Sequence, residues 1–198
     1  MDFQVLAFPA VILVSTTSLV LLLSSDWRLS IAALSIQYSG VFALVALSWP
    51  LELAVVKLVA GWMAGAVLGL ALIGNPDNVL QKEPLGLSGG LFRFLAAVMV
   101  GMVGVSIAPK LVEWVPEISL EQAYGGAVLI GLGLLHLGLT VQAIRVAFGL
   151  LTILAGFEIL YAAVETSSLV TGLLAGVNLG LALVSGYLMA VPEVEAGE

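Results

Sequence analysis

The chain has 198 residues, of which 61% are hydrophobic and 10% charged, with a net charge of −7 and no cysteine. A soluble domain carries about 25% charged residues, and the mean hydropathy here is +1.18. This composition leaves no room for a soluble catalytic domain. It also excludes disulfides, thiolate-bound metal and c-type haem, a single histidine excludes a bis-His haem, and the acidic balance argues against nucleic acid.

Apolar runs of about 20 residues recur along the chain, which predicts an all-α, polytopic transmembrane protein of seven spans. Met1-Asp2-Phe3-Gln4 lacks a basic region, so the first span is expected to stay rather than be cleaved as a signal peptide. Span one runs from Val5 to Leu23, and its Ser15-Thr16-Thr17-Ser18 run can bond back to its own carbonyls or across helices. Span two runs from Arg28 to Ser48 and contains Gln37 and Tyr38. Span three runs from Pro50 to Ile73, with Pro50 suited to a first helical turn. A loop through Gly90 follows, then span four from Leu91 to Ala108. Pro109 to Gln122 reads as an acidic loop with Trp114 as an interface anchor. Span five runs from Ala123 to Thr140 and holds His136. Two more spans lie between Arg145 and Ala190, and residues 191–198 form an acidic tail.

Arg28, Lys82, Arg93 and Arg145 fall on one side of such an arrangement and Lys110 on the other. The positive-inside rule then expects an inner-membrane protein with its N-terminus outside and its C-terminus cytoplasmic.

An internal repeat is present. Leu58–Gly74 aligns without gaps on Leu169–Ser185, with ten of seventeen positions identical. Gly61, Gly65 and Gly69 fall on Gly172, Gly176 and Gly180. Each triad is spaced by four, so each lies on one helix face and is expected to be a close helix-packing surface. The repeat predicts two parallel three-helix units, residues 1–74 and 123–190, joined by a connector helix with flanking loops in 75–122.

Four polar side chains inside spans are candidates for a proton relay. Glu158 lies about 13 residues, roughly 20 Å of helix, beyond Arg145. An ionisable group so deep in hydrocarbon costs a few kcal/mol and points to an ion or proton site. Lys57 is the second intramembrane charge; it could pair with a carboxylate, join a relay, or snorkel to the surface. Gln37 suits interhelical hydrogen bonding, and His136 suits packing as readily as a relay. Glu165, two turns beyond Glu158, reads as a solvated helix-end acid.

Residues 123–190 resemble the three-helix K subunit of bacterial complex I and the C subunit of Mrp-type cation/proton antiporters. The family's second helix carries Gly-x-Glu-Leu/Ile-Met-x-Asn-Ala, and this chain has Gly156-Phe157-Glu158-Ile159-Leu160-Tyr161-Ala162-Ala163. The basic turn ending at Arg145 and the run Leu179-Gly180-Leu181-Ala182-Leu183 are similar to the family as well. The resemblance implies that Glu158 is the membrane glutamate of a proton path. The departures are that the family's asparagine is Ala162, its second glutamate falls on Gly176, and the first unit has Gln37 and Gly65 near those two acid positions.

The function expected is therefore a subunit of a complex I-like or Mrp-like proton/cation-translocating complex. It is expected to bind no cofactor or metal and to catalyse no reaction alone, with other integral membrane subunits and lipid as its partners. The other readings are a self-sufficient small transporter with its site between the repeats, and a purely structural packing subunit.

Overall fold

The computed structural model describes residues 3–74 and 87–190, and those residues form seven helices and no strand. They are α1 (Phe3–Leu23), α2 (Trp27–Val45), α3 (Leu51–Gly74), α4 (Leu87–Trp114), α5 (Leu120–Gly138), α6 (Ala143–Val164) and α7 (Ser168–Ala190). All seven are long and apolar enough to cross a bilayer, so the chain is an integral membrane protein of the polytopic helical class. Lys82, the expected tail and the loop after α3 lie outside the described residues.

Several boundaries differ from those expected, each for a local reason. α4 does not stop at Ala108 but continues through Pro109 to Trp114. A proline inside a helix removes one hydrogen bond. The loss is offset where Ala108, Leu111 and Val112 pack against Ile118 and Ala123. Trp114 ends the helix and is exposed, in keeping with an interface anchor. α5 begins at Leu120 because Ser119 and Gln122 form a capping box: Gln122 N donates to Ser119 Oγ at 3.2 Å and Ser119 N donates to Gln122 Oε1 at 3.1 Å. α2 is capped by Asp26, whose carboxylate accepts from Arg28 N at 2.9 Å.

In α1, the hydroxyls of Ser15, Thr16 and Thr17 all donate to carbonyls one turn back. That satisfies them without a partner helix.

The helices form two rows. α1 packs on α2 and α2 on α3, while α5 packs on α6 and α6 on α7. Across the rows α1 lies against α5, α2 against α6 and α3 against α7. α2 and α6 run in the same direction: Ser30 and Ile144 sit at one end of their seam, and Trp49 Nε1 donates to Glu165 O at 2.7 Å at the other. α4 covers α5 and touches α1 from outside the rows, and most of its surface remains apolar and uncovered.

The closest helix approach is not where the glycine triads predict it. Gly126 and Gly133 of α5 face Gly156 and Gly149 of α6; a Cβ on Gly156 would lie 2.8 Å from Gly126 O, and one on Gly133 would lie 3.0 Å from Gly149 O. Backbone meets backbone there, and only glycine fits. The first triad packs unevenly: a Cβ on Gly61 would lie 2.2 Å from the Tyr38 ring and one on Gly65 a tight 3.3 Å from Ser35 Oγ, whereas one on Gly69 would lie at an ordinary 3.9 Å from Ile31. The second triad is a correction. Gly172, Gly176 and Gly180 have open space around them and seal no contact among the described residues. α7 instead turns Thr171, Asn178, Ala182 and Ser185 inward.

Candidate functional site: a buried ion pair between the two rows

Lys57 of α3 and Glu158 of α6 form an ion pair, with Lys57 Nζ against Glu158 Oε2. Lys57 does not snorkel: it is 2% exposed and Glu158 is 0% exposed. Lys57 is six residues after the start of α3 and Glu158 six before the end of α6. Both therefore lie roughly 9 Å inside the same end of the bundle, at 1.5 Å per residue. The pair joins the first row to the second.

Uncharged polar groups collect around it. Lys57 Nζ lies 5.2 Å from the centroid of the Tyr38 ring, within reach of the ring's negative face. The Tyr38 hydroxyl donates to Asn178 Oδ1 of α7 at 3.0 Å. Gln37, beside Tyr38 on α2, donates through Nε2 to Thr152 Oγ1 of α6 at 3.4 Å. Gln37, Tyr38 and Asn178 are each 0% exposed. Four helices, α2, α3, α6 and α7, thus contribute to one buried polar centre. Gly61 makes it possible, since any side chain there would displace the Tyr38 ring.

The centre has spare hydrogen-bonding capacity. Gln37 Oε1, Asn178 Nδ2 and Glu158 Oε1 have no hydrogen-bond partner among the described residues. Buried polar atoms in proteins are nearly always bonded to protein or to water. All three belong to side chains that are 0% exposed, so the arrangement suits water or a moving proton.

Of the sequence candidates, Glu158, Lys57 and Gln37 come together here. His136 does not. It is buried near the opposite end of α5, two residues before Gly138, on the level of Gly149 rather than of Glu158. That separates it from the pair by roughly 15 Å along the bundle. Its Nε2 has no hydrogen-bond partner among the described residues. Glu165 is half-buried at the end of α6, and its Oε1 accepts from Ser167 N at 2.9 Å, which makes it a helix-end acid. Among the described residues no three acidic or histidine side chains gather as metal ligands.

No protein-family model, curated protein or solved structure matches this chain.

Sequence reasoning missed three members of the centre. Asn178 is an amide in the middle of an apolar span, the kind of residue that singled out Gln37, and its signal was available. Thr152 resembles any helix threonine that bonds its own backbone, so nothing in its surroundings marks it. Tyr38 reads as a core aromatic until Gly61 and Lys57 are seen to frame its ring. Gln122, expected in a loop, is also buried, and its Nε2 donates to Leu44 O and Ser48 Oγ, tying α5 to the end of α2.

Proposed function

We propose that this integral membrane protein is a subunit of a proton- or cation-translocating complex of the complex I or Mrp-antiporter kind, with the Lys57–Glu158 pair as its relay point. The observation that carries the reading is a charged pair buried between two three-helix rows with unbonded polar atoms beside it. Burying two charges costs several kcal/mol per ion, and packing alone is served as well by apolar side chains of similar volume. A pair kept for structure alone is best held with its remaining lone pairs bonded. Here Glu158 Oε1 is left open. The resemblance of residues 156–163 to the family's glutamate helix supports the same role for Glu158.

The chemistry follows from charge counting. Paired, Lys57 and Glu158 sum to zero. A proton added to Glu158 leaves the Lys57 ammonium uncompensated beside the Tyr38 ring. A proton lost from Lys57 leaves the carboxylate uncompensated. Either state draws a compensating charge from the next ionisable group along the membrane, which is how a relay passes its signal between subunits. The chain makes and breaks no other bond.

One observation favours a second reading. The polar groups come from both rows and meet between them, which is where a self-sufficient transporter places its site. Flux by the purified chain alone in proteoliposomes would establish that reading.

The test is substitution in native membranes. Glu158→Gln alone strands the Lys57 charge, so the paired change Lys57→Met with Glu158→Gln is the cleaner variant. The expected result is an assembled complex that no longer acidifies inside-out vesicles, while Glu165→Gln is nearly silent. Wild-type translocation by the paired variant overturns the relay.

A further inference from the structure

A recess opens at the Arg145 end of the bundle, far from the ion pair. Ser24, Ser25, Ser30 and Arg145 line it together with Trp27 and Phe148, and the wall they present is mostly apolar. Arg145 Nη2 donates to Ser24 O at 3.0 Å, which holds the α1–α2 turn against α6. The recess volume is about 10 Å³, on the scale of a single water.

The recess sits at the foot of the seam between α2 and α6. Ser30 and Gln37 are seven residues apart on α2, and Arg145 and Thr152 seven apart on α6. Seven residues are two helical turns, so each pair shares one face. The Gln37–Thr152 hydrogen bond is therefore the next polar step above the recess, and the Lys57–Glu158 pair lies above that. Phe148 and Leu34, both buried, belong to the apolar core that α2 and α6 share. Phe148 is one turn from Thr152, roughly 6 Å of rise. Gln37 Oε1, wholly buried and without a hydrogen-bond partner among the described residues, is the acceptor a water arriving at that step would use.

We infer that this seam is the proton entry path to the ion pair: protons enter from the Arg145 end through the water-sized recess, pass Phe148, and reach Glu158 by way of the Gln37–Thr152 step. This inference rests on the relay reading of the pair and adds the entry side and the nature of the ion. A mouth with room for one water and an arginine in its wall passes a proton along water but rejects a hydrated metal cation. Phe148 is the closure, an apolar ring that breaks the water file until it moves.

The chain has no cysteine, so single cysteines report access without background. Thr152→Cys in sealed vesicles of either orientation is treated with a small, membrane-impermeant sulfonate methanethiosulfonate. Labelling of Thr152→Cys alone is expected to be negligible, because the recess admits a water but not the reagent. It is expected to appear, from the Arg145 side only, when Phe148→Ala enlarges the recess, and to stay negligible with Phe148→Trp. Translocation is expected to be unchanged when sodium is replaced by potassium. Labelling from the opposite side, labelling indifferent to both Phe148 changes, or translocation that requires sodium overturns the entry path. The two readings fail separately. If the relay is wrong, the Lys57→Met/Glu158→Gln protein translocates while the labelling pattern stands. If the path is wrong, that protein is dead and the labelling pattern is absent.

Discussion

The Lys57 ammonium lies over the ring of Tyr38, 5.2 Å from its centroid, and the hydroxyl of the same ring is bonded to Asn178. One side chain thereby couples the charged pair to α7. Replacing Tyr38 by Phe keeps the ring under Lys57 and removes the bond to Asn178. A buried hydrogen bond is worth about 1 kcal/mol, and more when its partner is left unsatisfied. Tyr38→Phe is expected to lower detergent-solubilised stability by about 1–2 kcal/mol, and Tyr38→Leu by more. Thermal unfolding of the two variants checks the order.

Breaking the ion pair from one side is expected to cost more than removing it whole. Lys57→Met leaves a buried carboxylate and Glu158→Gln a buried ammonium; removing one partner of a buried pair typically costs about 3–5 kcal/mol. The double variant removes both charges and should be more stable than either single one. A double-mutant cycle on thermal stability measures this. Additive losses would show that the pair is not coupled.

The α5–α6 seam should tolerate no bulk. Gly156→Leu drives a side chain into Gly126 O and Leu129, and Gly133→Leu drives one into the backbone of Gly149 and Ile153. Both variants are expected to lose most of their folded yield, since close backbone approach is what drives helix association in lipid. Gly176→Leu meets open space. It is expected to leave the isolated chain folded, so size-exclusion yield separates the two glycine sets.

Cysteine labelling also reads the topology. Val141 is 94% exposed in the α5–α6 turn, and Thr166 is exposed in the α6–α7 turn. With α6 between them, cysteines at these two positions should label from opposite sides of a sealed membrane, Val141→Cys from the same side as Arg28.

Much of the fold was legible because bilayer thickness imposes run length, and seven apolar runs can be counted directly. Helix ends were less so. The continuation of α4 past Pro109 depends on Ile118 and Ala123, which only the folded turn brings beneath it. The site was half legible. Glu158, Lys57 and Gln37 stand out because polar atoms in hydrocarbon are expensive, but their meeting depends on how the two rows lie together. The glycine faces misled for a physical reason. A four-residue spacing says only that small residues share a face. Whether a helix lies against that face is set by the rest of the bundle, and α7 turns Asn178 inward instead.

The pair has a further consequence for biosynthesis. Lys57 and Glu158 are about a hundred residues apart in the chain, so at about 5–20 residues per second α3 is made roughly 5–20 s before α6. Through that interval the newborn protein holds a lysine in or at the bilayer without the carboxylate it pairs with in the folded chain. A fragment ending after α4 never acquires it. Within this chain, the synthesis of α6 is therefore the event that neutralises α3.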